Sequence, residues 1–385
     1  MRLRVRATVL AIAGLLLPAL LPMAVPSVAR AAAPGDVVEA TPTTVYLAPG
    51  RLLEVPANAW RLRYRSTSAV GAANVVSGTL LVPKSGYIGK RPVVGYAVGT
   101  HGLGDQCAPS AAMARGTELE LAFVSLMLLK GWAVAVTDYE GLGTPGDHTY
   151  MAGKSQAHAV LDSIRAATRV PGAGLSSGGP VAVMGYSQGG SSAGWAAQLQ
   201  PSYAPELKLR GVAAGGVPAD LKKVAENLDG GGDFGLSAAA GLGFDAAYPE
   251  LRLRDYLTPE GAALFADARD DCVDELRDKL AGRTLAELTT QDVMNRPDWT
   301  ARLQENRLGA TRPGVPVFVW HGTGDEIIPI GVSRTLRSEW CAKGGTVTWT
   351  SVPAPSHVLG AVEGGPLAVA WLAGRMLGLP AFGNC

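Results

Sequence analysis

VAVMGYSQGG, residues 181–190, decides how the rest of this 385-residue chain is read. Residues 181–186 form a short apolar run rich in valine, as a buried strand requires. From Ser187 to about Leu199 the residues are small and suit a helix. The pentapeptide GYSQG, Gly185 to Gly189, therefore stands between a strand and a helix. That is the context of a nucleophile elbow, and it is what separates this pentapeptide from chance occurrences. The need is steric. A serine on a tight turn has its hydroxyl lifted clear of the sheet, and glycines on either side remove the crowding a side chain would cause. The N–H of Gln188, at the start of the helix, is then placed to face a developing oxyanion beside Ser187.

Outward from the elbow, strands alternate with helices. Residues 75–83, 92–98, 132–138, 209–214, 316–320 and 346–352 are further apolar runs bounded by Gly or Pro. Residues 155–169 carry apolar side chains at helical spacing, and a helix from about Val332 to Cys341 joins the last two strands. This alternation predicts an α/β protein with a mostly parallel sheet flanked by helices. Between Pro218 and Arg312 the rhythm breaks. An apolar, glycine-rich stretch (230–244) is flexible enough to line a groove and equally suits plain packing against the core, and a charged helical stretch (269–281) follows, with no strand. Loops this long are uncommon without a function. The region is read as an inserted, mainly helical cap (218–312) between two parts of one core, 34–217 and 313–385, with two or three peripheral helices and long loops as the alternative.

A serine hydroxyl is a weak nucleophile and needs a base, which in turn needs an orienting carboxylate. Behind a nucleophile elbow the chain order is Ser, then acid, then His. The chain has five histidines, at 101, 148, 158, 321 and 357, and only the last two follow Ser187. WHGTGDEIIP (320–329) follows a late strand and supplies Asp325; only His357 lies beyond it, in the segment PAPSHVLG, read as a loop. The expected triad is Ser187, Asp325 and His357. Glu326 is the alternative acid, and His321 is expected to support the loop. Twelve other aspartates lie between Ser187 and Asp325, all in the cap or at its margins, and none follows a strand. The second oxyanion donor is expected in GTHGLGD (99–105), from the backbone N–H of Thr100, His101 or Gly102. An ordinary loop role for His101 is an equal alternative.

Composition narrows the setting. The chain is 47% apolar and 17% charged, with a formal charge of +1 and no basic cluster of the kind nucleic acid demands. Arg2, Arg4 and Arg6, an apolar run to about Val25 and small residues up to Ala33 have the layout of a cleavable secretory leader, residues 1–33, with an uncleaved membrane anchor as the alternative. Its removal leaves 30 basic and 33 acidic residues. No later stretch is apolar enough to span a bilayer. The four cysteines, Cys107, Cys272, Cys341 and Cys385, have no zinc-site spacing; in an exported chain they favour two disulfides, with three connectivities open.

CAPS (107–110), TDYEGLGTPG (137–146), GYSQGG (185–190), SYAPEL (202–207), WHGTGDEIIP (320–329) and CAKGG (341–345) occur in this order. Together they resemble the secretory lipase family, that of the fungal lipase A of Candida, over nearly the whole mature chain. The resemblance implies an α/β-hydrolase core, a cap inserted before the acid-bearing strand, and hydrolysis of acylglycerols or related esters. It places the triad on Ser187, Asp325 and His357. It also implies a Cys107–Cys272 pair tying core to cap, which leaves Cys341 for Cys385. In DYEGLG, Asp138 and Glu140 are expected to pin their loop, with contact to substrate as the alternative. One departure stands out. The fungal enzyme has an acidic residue in its oxyanion loop at the place where this chain has Gly102, so only a backbone contribution is expected there.

The expected reaction is two-step acyl transfer through an acyl-Ser187 intermediate, with no metal or organic cofactor. The expected partners are a small-molecule or lipid ester and, transiently, a lipid interface; nucleic acid and a stable membrane span after leader cleavage are not expected. The expected location is extracellular. An acyltransferase or amidase using the same triad is the alternative, and a non-enzymatic binder on the same scaffold is a further one.

Overall fold

Valine-rich runs flanked by glycine and proline become the strands of one nine-stranded sheet. The computed structural model describes residue 8 and residues 32–385. The leader read in residues 1–33 lies outside the described residues, apart from 8, 32 and 33. The strands are β1 (Val37–Thr43), β2 (Tyr46–Ala48), β3 (Leu52–Glu54), β4 (Ala57–Thr67), β5 (Ala73–Pro83), β6 (Val93–Ala97), β7 (Ala133–Tyr139), β8 (Pro180–Tyr186), β9 (Lys208–Gly215), β10 (Val317–Gly322) and β11 (Val347–Val352). The sheet order is β1-β4-β5-β7-β6-β8-β9-β10-β11, while β2 and β3 pair apart from it. From β7 to β11 every neighbouring pair is parallel. The pairs β1–β4, β4–β5 and β5–β7 are antiparallel. All residues of β6 and β7 are buried, which explains their unbroken apolar runs: helices cover both faces.

The helices are α1 (Pro109–Arg115), α2 (Leu121–Leu129), α3 (Gly153–Ala167), α4 (Gln188–Tyr203), α5 (Leu221–Leu228), α6 (Phe234–Ala247), α7 (Pro259–Ala268), α8 (Val273–Leu280), α9 (Leu285–Leu288), α10 (Pro297–Glu305), α11 (Ile330–Ala342) and α12 (His357–Met376). Helices α5 to α10 lie between β9 and β10, and the described residues of that span contain no strand of either sheet. They enclose a second hydrophobic cluster that includes Phe234, Leu242, Phe244, Phe265, Leu276 and Trp299.

Two expectations are corrected. The 230–244 stretch is regular helix, α6, over most of its length rather than a flexible segment, and it both packs and lines cavities. Its glycines are contact surfaces. A Cβ at Gly235 would lie 2.2 Å from the Leu276 carbonyl oxygen, and one at Gly243 2.3 Å from that of Tyr150. His357 is not in a loop either. It is the first residue of α12, capped by Ser356, whose Oγ accepts the Leu359 N–H at 3.3 Å.

Disulfides join Cys107 to Cys272 and Cys341 to Cys385, the pairs that the resemblance implies. The first ties the segment before α1 to the start of α8, across 165 residues of sequence.

Candidate active site

Ser187 occupies the turn between β8 and α4 with φ 59° and ψ −121°. A non-glycine residue held there is strained by about 1–3 kcal/mol, and its neighbours make the turn possible. A Cβ at Gly185 would sit 2.3 Å from the Gly189 carbonyl oxygen, and one at Gly189 1.9 Å from that of Ala97. The Ser187 N–H donates to the Gly215 carbonyl at 3.0 Å. Gln188 is the first residue of α4, so its N–H has no partner within the helix. Its amide lies 3.4 Å from His148 Nε2, and His148 Nδ1 is 2.7 Å from the Glu140 carbonyl oxygen. Burial lowers the His148 pKa to about 4, so the ring is neutral and Nε2 can accept.

Asp325 follows β10, and its side chain has no exposed surface. Its Oδ1 accepts the Ile327 N–H at 3.1 Å and the Ile328 N–H at 2.8 Å. Its Oδ2 meets His357 Nδ1 at 2.8 Å and His321 Nε2 at 3.1 Å. Burial works against the charge, but the bonds from His321 and His357 outweigh it and hold the carboxyl well below the usual carboxylate range. His321 is fully buried; its Nδ1 is 2.8 Å from Ser333 Oγ and its Nε2 2.8 Å from the Ile328 carbonyl oxygen. It therefore backs the acid, which is the support role expected of it. Glu326 accepts the backbone N–H of His357 at 2.8 Å and makes no bond to the ring. With Nδ1 committed to Asp325, His357 has Nε2 left for a serine. Tyr186 anchors the same residue, its hydroxyl donating to the His357 carbonyl at 2.7 Å. No hydrogen bond joins Ser187 Oγ to His357 among the described residues. Such links are often loose before substrate binds.

The 99–105 loop is gripped on several sides. The Gly99 N–H donates to Glu120 Oε1 at 2.6 Å, and its carbonyl oxygen is 2.9 Å from His101 Nδ1. His101 Nε2 lies 2.7 Å from Glu118 Oε2. Thr100 Oγ1 and the Tyr150 hydroxyl are 2.7 Å apart. On the other flank, the Leu103 N–H donates to the Asp271 carbonyl at 2.9 Å and the Val273 N–H to that of His101 at 3.0 Å. The N–H groups of Thr100, His101 and Gly102 donate to no acceptor among the described residues. Gly102 has φ +124°, and a Cβ there would fall 2.5 Å from the Asp271 carbonyl oxygen. A side chain at 102 is thus excluded, and with it any side-chain oxyanion donor at that position. The Glu118–His101–Glu120 arrangement has no counterpart in the sequence reading. Burial resists the His101 charge, but Glu118 outweighs it and raises the imidazole to about 9. Burial of its carboxyl and the charge of Glu118 push Glu120 up to about 7. Asp138 and Glu140 pin their loop: Asp138 accepts from Ser77 and Ser110, and Glu140 from Thr149 and Ser155.

Ser187 and Gln188 line a cavity of about 50 Å³ whose other walls include Tyr150, Met151, Leu236 and Ile327. A second cavity of about 70 Å³, among Phe234, Phe244, Phe265 and Trp299, is almost wholly apolar. Leu221, Ala225, Ser237 and Ala240 line both. The described residues contain no group of three or more His, Cys, Asp or Glu able to hold a metal ion.

A family described as "Secretory lipase" matches residues 107–384. Lipase 6 of Candida albicans is 31% identical, over 92% of this chain and 81% of that protein. The secreted triacylglycerol lipase LIP7 of Malassezia globosa is 29% identical, over 85% and 72%. A Mycobacterium tuberculosis protein named as a probable inactive lipase, MT1628, is 29% identical over 91% and 80%. Among solved structures, Candida antarctica lipase A in its closed state superposes with a TM-score of 0.82, at 24% identity, over 91% of this chain and 84% of that one.

Proposed function

Because the chain belongs to the secretory lipase family, we propose that it hydrolyses acylglycerols and related lipid esters with Ser187 as nucleophile, His357 as base and Asp325 as orienting acid. Membership makes it a serine carboxylic-ester hydrolase of the α/β-hydrolase fold. The observation that carries the residue assignment is the buried Asp325–His357 bond of 2.8 Å, made by the one histidine that follows the acid and whose carbonyl is bonded by Tyr186, the residue before the serine on its strained elbow.

His357 Nε2 takes the Ser187 proton as Oγ bonds to the ester carbonyl carbon. The oxyanion that forms is held by the Gln188 N–H and an N–H from residues 100–102. The intermediate collapses, the C–O bond to the alcohol breaks, and His357 returns the proton to the leaving alkoxide. Water then repeats the cycle on the acyl enzyme, releasing the acid. Asp325 keeps the proton of the free imidazole on Nδ1 and stabilises the imidazolium.

Residues 218–312 act as the cap, and the acyl chain runs from Ser187 along the apolar walls of the first cavity toward the second. The name of the Malassezia relative supports acylglycerol as substrate and secretion as destination. No helix among the described residues is long and apolar enough to cross a membrane, which fits contact with lipid from the aqueous side.

The test is hydrolysis of nitrophenyl esters from two to sixteen carbons and of a triacylglycerol emulsion, by wild type and Ser187→Ala. We expect wild-type activity on long chains and loss of it in the variant. A variant with the wild-type rate would overturn the nucleophile assignment; a wild type inert on every ester would overturn the substrate class.

A further inference from the structure

The segment Glu118-Leu119-Glu120 is folded inside out. Leu119 is 90% exposed, whereas Glu118 is 7% exposed and Glu120 turns its carboxylate inward onto Tyr96 and Gly99. Simple burial energetics favour the reverse, a leucine in and two acids out. What the two acids hold is the candidate oxyanion loop.

We propose that Glu118, Glu120 and His101 are positioning residues: a carboxylate–imidazole–carboxylate clamp that presets the backbone of residues 99–102 to receive the oxyanion. This rests on the ester-hydrolase reading above. Both backbone polar groups of Gly99 are taken, its N–H by Glu120 Oε1 at 2.6 Å and its carbonyl by His101 Nδ1 at 2.9 Å. A carbonyl only accepts, so Nδ1 carries a proton. The 2.7 Å contact between Nε2 and Glu118 Oε2 then holds one more. The clamp closes on itself, for Glu118 Oε1 accepts the Glu120 N–H at 3.0 Å and Glu120 Oε2 accepts the Tyr96 hydroxyl at 2.7 Å. The Tyr139 hydroxyl secures the preceding carbonyl, of Val98, at 2.9 Å. With both groups of Gly99 engaged, the peptide planes that follow cannot rotate freely. The N–H groups of residues 100–102, which have no protein acceptor, keep a fixed direction. Such fixity matters more here than in a site with a side-chain donor, because Gly102 admits no side chain. A preorganised donor is effective only if it does not reorganise as charge develops.

Three variants test the clamp: Glu120→Leu, which removes the Gly99 bond; Glu120→Gln, which keeps an acceptor for it; and Glu118→Gln, isosteric, which uncouples the charge on His101. The readouts are kcat, KM and the rate at which a fluorophosphonate labels Ser187. One lost oxyanion donor costs roughly 100- to 1000-fold. We expect Glu120→Leu to lose at least 30-fold in both kcat and labelling rate with KM within threefold. Glu120→Gln should recover to within about tenfold of wild type, and Glu118→Gln should lose about tenfold in kcat at unchanged KM. If Glu120→Leu does not fold, Glu118→Gln decides. A Glu118→Gln protein with wild-type kcat and labelling rate overturns the clamp, as does a loss confined to KM. A wild type that is not labelled at Ser187 overturns instead the hydrolase reading beneath it.

Discussion

Replacing Asp325 by asparagine changes one oxygen for one amide nitrogen, and the surroundings dictate where the nitrogen goes. Oδ1 accepts two backbone N–H groups, from Ile327 at 3.1 Å and Ile328 at 2.8 Å. An amide NH₂ turned toward them would leave buried donors facing donors, at about 1–3 kcal/mol for each one unsatisfied. The oxygen of Asp325→Asn therefore stays at that place, and the NH₂ takes the place of Oδ2, 2.8 Å from His357 Nδ1. A donor there forces Nδ1 to accept, which moves the imidazole proton to Nε2. The nitrogen that should take the Ser187 proton is then already protonated. His321, whose Nε2 lies 3.1 Å from Oδ2, cannot restore the original state, because it also presents its ring to that place. A wrong tautomer of this kind is worth about 10⁴-fold in kcat, or about 5.5 kcal/mol of barrier. The assay is kcat on a short nitrophenyl ester, with the folded fraction checked by circular dichroism. Glu326→Gln is the control. Glu326 only accepts the His357 backbone N–H, which an amide oxygen also does, so its kcat should stay within threefold. A folded Asp325→Asn protein that keeps more than a tenth of wild-type kcat would refute the tautomer argument, and a collapse in Glu326→Gln would move the acid's role one residue on.

Ala240 lines both apolar cavities, so Ala240→Trp should close the passage between them. Each buried methylene is worth about 0.8 kcal/mol, roughly fourfold in kcat/KM. The variant should act on butyrate within threefold of wild type but lose at least 30-fold on a twelve-carbon ester, as an ester series would show. In Gly364→Ala the new Cβ would fall 1.9 Å from Trp320 Cδ1, both groups buried. Relieving it should cost about 1–3 kcal/mol, seen as a lower Tm. Stability should also depend on pH through His101, held at about 9 against an ordinary 6.5. The folded state keeps this proton where the unfolded chain has shed it, so the contribution is complete below pH 6.5 and is lost as pH rises through 9. The size is about 3 kcal/mol; urea midpoints at pH 6 and 9.5 should differ accordingly, and the difference should shrink in Glu118→Gln.

The parallel half of the sheet was legible because buried strands have only one way to look: β6, β7, β8 and β10 are short valine-rich runs sealed on both faces. The antiparallel edge was harder to see. In β4 the outward positions are arginines, Arg61, Arg63 and Arg65, between the buried Leu62, Tyr64 and Ser66. That alternation was in the sequence, but its low apolar density hid it. Helix α12 was hidden by its partners. Its glycines at 360 and 364 look like helix breakers, yet each is where Tyr186 or Trp320 lies against the helix. The proposed acid and base rest on the strand before Asp325 and on chain order, since only one histidine follows Asp325. The clamp was not readable. Glu118-Leu119-Glu120 looks like an ordinary alternation with leucine inward, and only the position of Gly99 and His101 in space inverts it.

Local preference is overridden most where the chain builds the site. Ser187 sits at positive φ, two glutamates turn inward while a leucine points out, and a carboxylate is sealed between two imidazoles. Each of these opposes folding by itself, so each must be held by contacts from elements that are secured independently. The elbow is held by β8 and β9 through the Ser187–Gly215 bond. The acid is held by its own following turn and by α12. The oxyanion loop lacks a sheet neighbour of this kind. It lies between the α2 approach and the start of α8, and it is there that the chain places a covalent link. Cys107–Cys272 joins residues 165 apart in sequence, and in the chain-entropy account a loop of that length withdraws about 5 kcal/mol from the unfolded state. The disulfide stands two residues beyond the last residue of the gripped loop, so a covalent tether between the segment before α1 and the start of α8 lies beside that loop.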